Sequence, residues 1–543
     1  MGDERSVAGR FLDALEATGT DVVFGLPGVH NLAFWREPPW TYRARIVNVR
    51  HEQTALYAAD AYARASGRLG CALVTSGPGA ANAAAAFGEA AASKSPVVLV
   101  ASEVPRHLIE AGVRGALHQS ADQSAMFGSL AKAVLTPRTA DDAVVAFADA
   151  VSVALAPPQG PVYLDVPADV LGQPAPPVEH RAVPSPVWDD AALGRAADLV
   201  EAAETVAIWA GGGAVQAGAA GPLAALAARL GAPVFTTFAG RGLLPPDHPC
   251  NVVLPPHEPE IESLLARRDL LLVLGSDFDA MTTKNHSLAL PATIVSVNVD
   301  PAKAAIPGRG VHTVLGDARW AAERLLERTR VRRASTASEI ARVCGGVWQR
   351  LRGDPRTWDA AGFVSVVQRV AAGRAVVVND MAVAGYWLGG YYVPTRPRAM
   401  QYPVGWGTLG YALPASVGAA AGSGGPVLAV CGDGGIAFAL AELATLVQEA
   451  LPVTVLVLDD GGYGMLRFDQ RHDPGPPRGT DLVTPDFVAL GAAFGIDAVS
   501  VEGVGDDLDE ALDDALESGR PRLVRCGAAL YPPKSTSPRW AEP

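Results

Sequence analysis

The 543-residue chain contains only five cysteines, and no two of them form a CxxC pair. This scarcity argues against a disulfide framework and against a structural zinc site. Positively charged residues are also few: the chain has 44 Lys and Arg but 57 Asp and Glu, so its net charge is −13. An acidic chain without a concentrated basic patch repels phosphate backbones, so we expect no nucleic-acid partner.

Long hydrophobic runs are missing as well. Charged residues, Gly or Pro interrupt every apolar stretch before it reaches 18 residues, so we expect no membrane span. The first residues show no charged-then-apolar leader, and with the scattered cysteines this predicts a cytoplasmic enzyme. Apolar residues are nevertheless abundant at 49%, which is typical of large buried cores.

Short β-branched runs alternate with alanine-rich stretches along most of the chain. Val97–Ala101 and Val162–Val166 are continuous apolar runs, whereas Thr54–Ala65 and Ala80–Ala92 are rich in alanine. Apolar strands separated by helices are typical of a parallel sheet that is covered on both faces. The sequence therefore predicts an α/β protein with doubly wound parallel sheets.

Two breaks divide this alternation into three series. The first break is the proline-rich stretch Pro174–Pro186, and the second follows a charged stretch that ends at Arg333. We therefore expect three α/β domains, over residues 1–172, 187–328 and 345–535.

Two acidic, glycine-rich turns follow strands of the third series. Asp433 comes after the predicted strand Val427–Val430 and before a helix predicted over Ile436–Ala450, and Asp460 comes after the predicted strand Val453–Leu458. Open parallel sheets bind ligands at the carboxyl ends of their strands, and glycines let a backbone approach phosphate. Two carboxylates at neighbouring strand ends suit Mg²⁺ on a diphosphate, whereas the plainer alternative is that both turns only cap buried strands.

The run Gly432-Asp433-Gly434, followed by Asp459-Asp460, resembles a motif of the thiamine-diphosphate-dependent 2-oxo acid decarboxylases and acetolactate-synthase-like carboligases. The resemblance implies that Asp433 and Asp460 ligate Mg²⁺ through their side chains and that Gly462 does so through its carbonyl. The family usually has Asn-Asn where this chain has Asp459-Asp460, and the change adds negative charge beside the diphosphate.

Other residues fit the family's pattern for thiamine diphosphate. The resemblance implies cofactor contacts for Pro27, Gly28, Thr75, Asn82, Gly407, Leu409, Gly432, Asp433, Gly434, Gly435, Asp460, Gly462, Tyr463, Gly464 and Met465. Leu409 matches the bulky side chain beneath the bent cofactor, and the Gly407 carbonyl would accept from its 4′-amino group. Domain 1–172 would then bind the pyrimidine, and domain 345–535 the diphosphate and Mg²⁺.

Glu52, in Arg50-His51-Glu52-Gln53, resembles the family's catalytic glutamate. A carboxyl group hydrogen-bonded to N1′ drives the cofactor's aminopyrimidine towards the reactive imino tautomer. The alternative is an ordinary glutamate at the start of a surface helix.

Three further residues are candidates for catalysis on the substrate. Gln119 matches the active-site glutamine of acetolactate synthases, with His118 in place of the neighbouring phenylalanine. His30 follows a cofactor-facing turn and is placed to move protons, although a lone loop histidine is more often solvated or a cap. The adjacent histidine pair of simple pyruvate decarboxylases is missing, and Thr75 stands where benzoylformate decarboxylases carry a histidine.

The central series bears on a second cofactor. Acetolactate synthases hold FAD there, and Gly211-Gly-Gly213 offers a glycine run, which strand–helix packing also uses. Asp277 stands at the position of the family's arginine and removes a positive partner for a phosphate. We therefore expect no FAD.

The resemblance implies that a 2-oxo acid loses CO₂ and that the acyl-anion equivalent is transferred to an aldehyde or ketone acceptor. Simple decarboxylation with release of an aldehyde is the alternative, and a non-catalytic paralogue is a third. Because the family builds each site from two subunits, we expect a homodimer or homotetramer with sites at the interface.

Overall fold

The computed structural model describes residues 5–38, 42–184, 186–306, 308–332, 336–403 and 405–540. Residues 1–4 of the expected first domain, Ser185 of the proline-rich stretch and Arg333 of the charged stretch lie outside these ranges. Within them, three open sheets form, and their strands pair in parallel throughout. The predicted α/β class with doubly wound parallel sheets is therefore confirmed.

The first sheet contains β1 (Val22–Gly25), β2 (Arg45–Asn48), β3 (Gly70–Val74), β4 (Val97–Glu103), β5 (Ala133–Leu135) and β6 (Val162–Pro167). Its helices are α1 (Val7–Ala17), α2 (Ala33–Arg36), α3 (Glu52–Ser66), α4 (Pro78–Ala92), α5 (Arg106–Glu110), α6 (Ala140–Leu155) and α7 (Ala168–Leu171). The strand order is β2-β1-β3-β4-β6-β5. Strands β3 and β4 are buried along their whole length, as their apolar sequences predict.

The central sheet contains β7 (Val206–Ala210), β8 (Val234–Thr236), β9 (Leu270–Leu274), β10 (Thr293–Asn298) and β11 (His312–Leu315). Its helices are α8 (Asp190–Ala202), α9 (Gly212–Gln216), α10 (Ala220–Leu230), α11 (Pro259–Ala266), α12 (Pro301–Ala304) and α13 (Ala318–Arg328). The order β11-β10-β9-β7-β8 reverses direction beside β7, where open α/β sheets bind ligands.

The third sheet contains β12 (Val376–Asn379), β13 (Met400–Gln401), β14 (Val427–Gly432), β15 (Val453–Asp459), β16 (Asp497–Glu502) and β17 (Arg522–Gly527). Its helices are α14 (Ala337–Gly353), α15 (Trp358–Ala371), α16 (Val383–Tyr391), α17 (Ala412–Ser423), α18 (Asp433–Ile436), α19 (Leu443–Gln448), α20 (Gly464–Asp469), α21 (Phe487–Phe494) and α22 (Asp506–Glu517). The order β13-β12-β14-β15-β17-β16 repeats the pattern of the first sheet, so the first and third units share one topology.

The helix predicted over Ile436–Ala450 is wrong as a single element. Helix α18 ends at Ile436, and α19 begins only at Leu443. The break places Phe438 against Gly410 and lets Glu442 accept a 3.0 Å hydrogen bond from the Arg50 amide.

The first and third units pack through α3 and α17. A Cβ at Gly418 of α17 would meet a backbone carbonyl oxygen of α3 at 1.8 Å, so only glycine fits there. Arg64 of α3 forms buried ion pairs with Asp60 at 2.9 Å and Glu89 at 2.7 Å in the same seam. The close contact at Gly418 fixes α3, and therefore its first residue, relative to the third unit, whereas the ion pair with Glu89 ties α3 to α4.

None of the helices in the described ranges is long and apolar enough to cross a membrane.

Candidate active site

Glu52 is held at the first turn of α3. The His51 side chain caps this helix by accepting from the Gln53 amide, and Oε2 of Glu52 accepts a 3.0 Å hydrogen bond from Nδ2 of Asn82. Glu52 is only 8% exposed. A Cβ at Gly79 would lie 3.3 Å from its Oε1, so α4 begins directly beside this carboxylate.

The loop between β3 and α4 packs on the turn after β1. A Cβ at Gly28 would lie 2.5 Å from the Cβ of Thr75, and one at Gly79 would lie 2.8 Å from its Cγ2. Both glycines are therefore needed for Thr75 to lie between the two segments. Pro27, in the same turn, is exposed.

His30 and His118 lie side by side, although 88 positions separate them in the chain (118 − 30). Their ring centroids are 5.6 Å apart with an interplanar angle of 79°. Nδ1 of His30 lies 2.5 Å from Oγ of Ser76, and burial together with His118 lowers the pKa of His30. Nδ1 of His118 is buried and has no hydrogen-bond partner among the described residues.

Gln119 follows His118, but its side chain is engaged in its own loop. Its Oε1 accepts from the Gly115 amide at 2.9 Å, and its Nε2 donates to the Val113 carbonyl at 2.8 Å. The structure therefore does not bring this amide to the histidine pair.

Gln123, which the sequence analysis missed, anchors this loop from within. It is 1% exposed; its Oε1 accepts from the Gly77 amide, and its Nε2 donates to the Ser102 carbonyl at 3.0 Å and to the Tyr163 hydroxyl oxygen at 2.9 Å. A glutamine in a polar loop has no pattern that marks it as buried, so no sequence signal pointed to it.

A cavity of about 240 Å³ opens at the carboxyl ends of β12, β14 and β15. Its lining includes the predicted cofactor residues Gly407, Leu409, Gly432, Asp433, Gly434, Gly435, Asp460, Gly462, Tyr463, Gly464 and Met465. Every lining residue lies between Met381 and Leu530, in the third unit. The predicted residues of the first unit (Glu52, Thr75, Asn82, His30 and His118), here called the N-terminal half-site, do not line it.

Asp433 and Asp460 meet in this cavity. Both carboxylate oxygens of Asp433 and Oδ1 of Asp460 are buried without a hydrogen-bond partner in the described chain. Burial and the neighbouring Asp460 raise the pKa of Asp433 to about 6. Buried oxygens of this kind fit a hard cation. The described residues hold no cluster of three or more His, Cys, Asp or Glu, so backbone carbonyls and ligand phosphates must complete such a site.

The neighbouring Asp459 has a different partner. Its Oδ2 accepts from Nε of Arg525 at 2.9 Å, and Arg525 also pairs with Glu502. The carboxylate at the first position of the Asp-Asp motif is therefore balanced by a cation. This pairing offsets the negative charge of Asp459, whereas the second added carboxylate, that of Asp460, lines the cavity.

Leu409 lies between two glycines with left-handed backbone, Gly407 and Gly410, both at φ 76°. Oδ1 of Asp380 accepts from the amides of Gly410 at 3.0 Å and Met381 at 2.8 Å. Asp380 is fully buried, and burial raises its pKa to about 6. This aspartate thus holds the Leu409 segment to the end of β12.

Asp277 follows β9 at the position of the family's arginine, and its carboxylate pairs with Nζ of Lys94 at 2.6 Å. Lys94 comes from the first unit, so the ion pair also ties two units together. The absence of FAD stays a prediction.

The chain matches three family models: Thiamine pyrophosphate enzyme, N-terminal TPP binding domain, over residues 5–126; the central domain, over 193–325; and the C-terminal TPP binding domain, over 380–526. It therefore belongs to the thiamine pyrophosphate enzyme family, and the expectation that the chain has thiamine-diphosphate-binding domains is confirmed. The predicted domain bounds stay a prediction.

Individual similar proteins indicate which group within this family the chain resembles. The chain is 37% identical over 521 residues to the Pseudomonas aeruginosa "Probable 2-ketoarginine decarboxylase AruI", covering 90% of this chain and 88% of that protein. It is 32% identical over 532 residues to an acetolactate synthase of Mycobacterium bovis, covering 91% and 84%. The solved structure of a thiamine diphosphate-dependent 4-hydroxybenzoylformate decarboxylase of Rhodococcus jostii RHA1 matches this chain with a TM-score of 0.82 and 24% sequence identity. The match covers 97% of this chain and 99% of that one, which shows a shared fold. The chain is a thiamine-diphosphate-dependent enzyme of the decarboxylase and acetolactate-synthase-like group.

Proposed function

We propose that this enzyme removes CO₂ from a 2-oxo acid and releases an aldehyde, with thiamine diphosphate and Mg²⁺ as cofactors. The observation that carries this choice is the pairing of His30 with His118 beside Ser76. Release of an aldehyde needs a proton donor at the carbon that has lost CO₂, and histidine is suited to that task near neutral pH. The histidine pair therefore favours aldehyde release over carboligation. The sequence motifs alone favoured carboligation.

The cavity of the third unit would hold the diphosphate and the metal. Both oxygens of Asp433 and Oδ1 of Asp460 are buried without a partner among the described residues, and the Gly462 carbonyl is the third proposed ligand. A Cβ at Gly464 would meet Oδ2 of Asp460 at 2.1 Å, so the turn is shaped around that carboxylate. When bound, thiamine diphosphate supplies the nucleophilic carbon that attacks the 2-oxo group and takes up the electron pair as CO₂ leaves.

Glu52 would exchange a proton with the pyrimidine. Its Oε2 is held by Asn82, which leaves Oε1 as the oxygen that a ligand can reach beside Gly79. A partly desolvated carboxylate in a fixed rotamer suits this task, because proton transfer depends on position before it depends on pKa.

A second copy of the chain would complete the site. The N-terminal half-site does not line the cavity of its own chain, so the two parts would meet across a subunit interface. Large apolar side chains are exposed on both faces: Val29 and Leu117 near the histidine pair, and Trp406, Phe438 and Leu466 around the cavity. Exposed apolar groups of this kind mark interaction surfaces. We propose a homodimer, or a tetramer of two such dimers.

Carboligation is the second candidate, and the 32% identity to an acetolactate synthase favours it. In that reaction an aldehyde or ketone acceptor takes the place of the proton.

The test is a panel of 2-oxo acids given to the enzyme with thiamine diphosphate and MgCl₂. Pyruvate, 4-methyl-2-oxopentanoate, benzoylformate and 2-ketoarginine are each incubated with and without acetaldehyde, and the products are identified by mass spectrometry. We expect CO₂ and an aldehyde one carbon shorter than the substrate. A hydroxyketone or acetohydroxy acid as the main product would favour carboligation, and no CO₂ from any substrate would contradict both candidates.

A further inference from the structure

Ser76 holds the His30 ring at one nitrogen. The 2.5 Å contact joins Oγ of Ser76 to Nδ1 of His30, and Ser76 is fully buried in the loop between β3 and α4. A hydroxyl both donates and accepts hydrogen bonds, so the contact persists whether the imidazole is neutral or charged. The opposite nitrogen, Nε2, is left for a ligand.

Gly77, the residue after Ser76, determines where the backbone of His118 lies. Gly77 has φ 61°, and a Cβ there would lie 2.4 Å from the carbonyl oxygen of His118. His118 itself has φ 63°, an uncommon conformation for a residue with a side chain. The backbone of His118 therefore packs against Gly77, while the neighbouring hydroxyl of Ser76 orients His30.

We propose that Ser76 is a positioning residue that makes Nε2 of His30 the proton-donating atom of the decarboxylation, an inference that rests on the proposed function. In the charged ring, Nδ1–H donates to Oγ of Ser76, and Nε2–H would be the proton offered to the carbon that has lost CO₂. The Nε2 proton moves to that carbon and forms a C–H bond, while the N–H electron pair stays on Nε2. The neutral ring keeps Nδ1–H on Ser76, and a solvent proton returns to Nε2 by way of His118.

Removal of the hydroxyl would release the ring. An unanchored imidazole rotates about its χ2 bond and spends part of its time with the wrong nitrogen towards the substrate. Positioned proton transfer contributes about 10²- to 10⁴-fold to rate, so a loss of about tenfold or more in aldehyde release is expected when the donor is misplaced.

The kinetic experiment separates CO₂ loss from protonation in the loaded enzyme. Aldehyde release is followed with a coupled alcohol dehydrogenase. In a parallel assay, 2,6-dichlorophenolindophenol takes two electrons after CO₂ has left, so that the product is a carboxylic acid and no proton from His30 is needed. The variants are Ser76→Ala, Ser76→Thr and, as the matched control, Ser95→Ala, which removes a buried hydroxyl that has no hydrogen-bond partner among the described residues.

We expect Ser76→Ala to lower aldehyde release about tenfold or more while dye reduction stays within about twofold. Ser76→Thr, which keeps the hydroxyl, should restore aldehyde release, and Ser95→Ala should change neither rate. Equal losses in both assays, or no loss in either, would overturn the positioning role of Ser76. Absence of dye reduction and CO₂ in the wild-type enzyme would contradict the proposed function instead.

An independent readout uses the full chain without cofactor. The pKa of His30 is measured by NMR on protein with labelled histidine rings, and the His30 signal is assigned by its loss in His30→Gln. Hydrogen bonds stabilise a charged ring more than a neutral one, so loss of the Ser76 acceptor should lower the His30 pKa further. His118 is the titratable neighbour that acts on His30, and its own signal is followed in the same spectra. An unchanged His30 pKa in Ser76→Ala would contradict the proposal even if the enzyme proved inactive.

Discussion

The Asn82 amide and the Glu52 carboxylate form a 3.0 Å hydrogen bond that joins the second turn of α4 to the first residue of α3. The bond fixes one carboxylate oxygen and leaves the other beside Gly79, where a ligand would reach it. The position of Glu52 therefore depends on two helices that follow β2 and β3, the strands on either side of β1 in the first sheet.

Glu52→Gln should keep the fold and cofactor binding but lower turnover about 10²-fold or more, because an amide cannot exchange the proton. Steady-state kinetics and thiamine diphosphate binding are measured on the same preparation. Glu110→Gln, an exposed glutamate of the same unit, is the control and should behave as the wild type. Near-normal turnover in Glu52→Gln would remove this residue from catalysis.

Asp433→Ala should abolish retention of Mg²⁺ and thiamine diphosphate, since the cation loses a carboxylate beside two phosphates. Altering even a residue behind a metal ligand costs about 10- to 100-fold in affinity, so loss of a ligand should cost at least that. Asp460→Asn should be tolerated because an amide oxygen still ligates, and it restores the family's usual residue. Metal content and calorimetric binding are measured, with the exposed Asp473→Asn as control. Full loss of binding in Asp460→Asn would show that the motif is misaligned.

Asp165 should make the stability of the enzyme depend on pH. Burial, and then the nearby Glu103, raise the pKa of this carboxyl group from 3.8 to about 8. Between about pH 4 and 8 the unfolded chain ionises while the folded chain keeps the proton, so stability falls as pH rises, by at most about 1.4 kcal/mol per pH unit.

Asp165→Asn keeps the oxygen that accepts from Gln123 and removes the charge. Its melting temperature should exceed that of the wild type at pH 8, and the difference should shrink towards pH 5. Asp198→Asn, at an exposed site, is the control. A constant difference between the two proteins across this range would contradict a neutral Asp165.

Local sequence patterns were enough to predict the parallel sheets and the two carboxylates that meet in the third unit. Strand β14 is a continuous apolar run that ends in Asp433, and β15 is another that ends beside Asp460. In a parallel sheet the carboxyl ends of neighbouring strands lie at the same edge. The sequence of each strand and the turn that follows it is therefore enough to predict that the two carboxylates lie close together.

The closeness of the two histidine rings depends on contacts between distant segments, which no local sequence pattern predicts. His30 and His118 are in two loops, and their distance is set by the missing side chain of Gly77 and by the buried Gln123 behind it. The break after Ile436 was missed for a similar reason, because tertiary packing of Phe438 on Gly410 overrides the helical pattern of the segment.

Mixed dimers should recover activity if the site is shared. Chains carrying Glu52→Gln and Asp433→Ala, each inactive alone, are co-expressed with different tags, and the doubly tagged dimers are isolated. Each such dimer would contain one site built from two unaltered halves, so we expect up to about half of the native activity. Dimers of Glu52→Gln alone, purified through two tags, are the control. No recovery, or full activity in an isolated monomer, would rule out a shared site.

The ratio of aldehyde to CO₂ tests the central claim most directly. The enzyme, loaded with thiamine diphosphate and Mg²⁺, is given its best 2-oxo acid in the presence of excess acetaldehyde, and both products are counted over the same interval. If the histidine pair protonates the decarboxylated carbon, one substrate-derived aldehyde should appear for each CO₂, and His30→Gln should lower this ratio. CO₂ release with the carbon recovered in a ligated product would contradict the account.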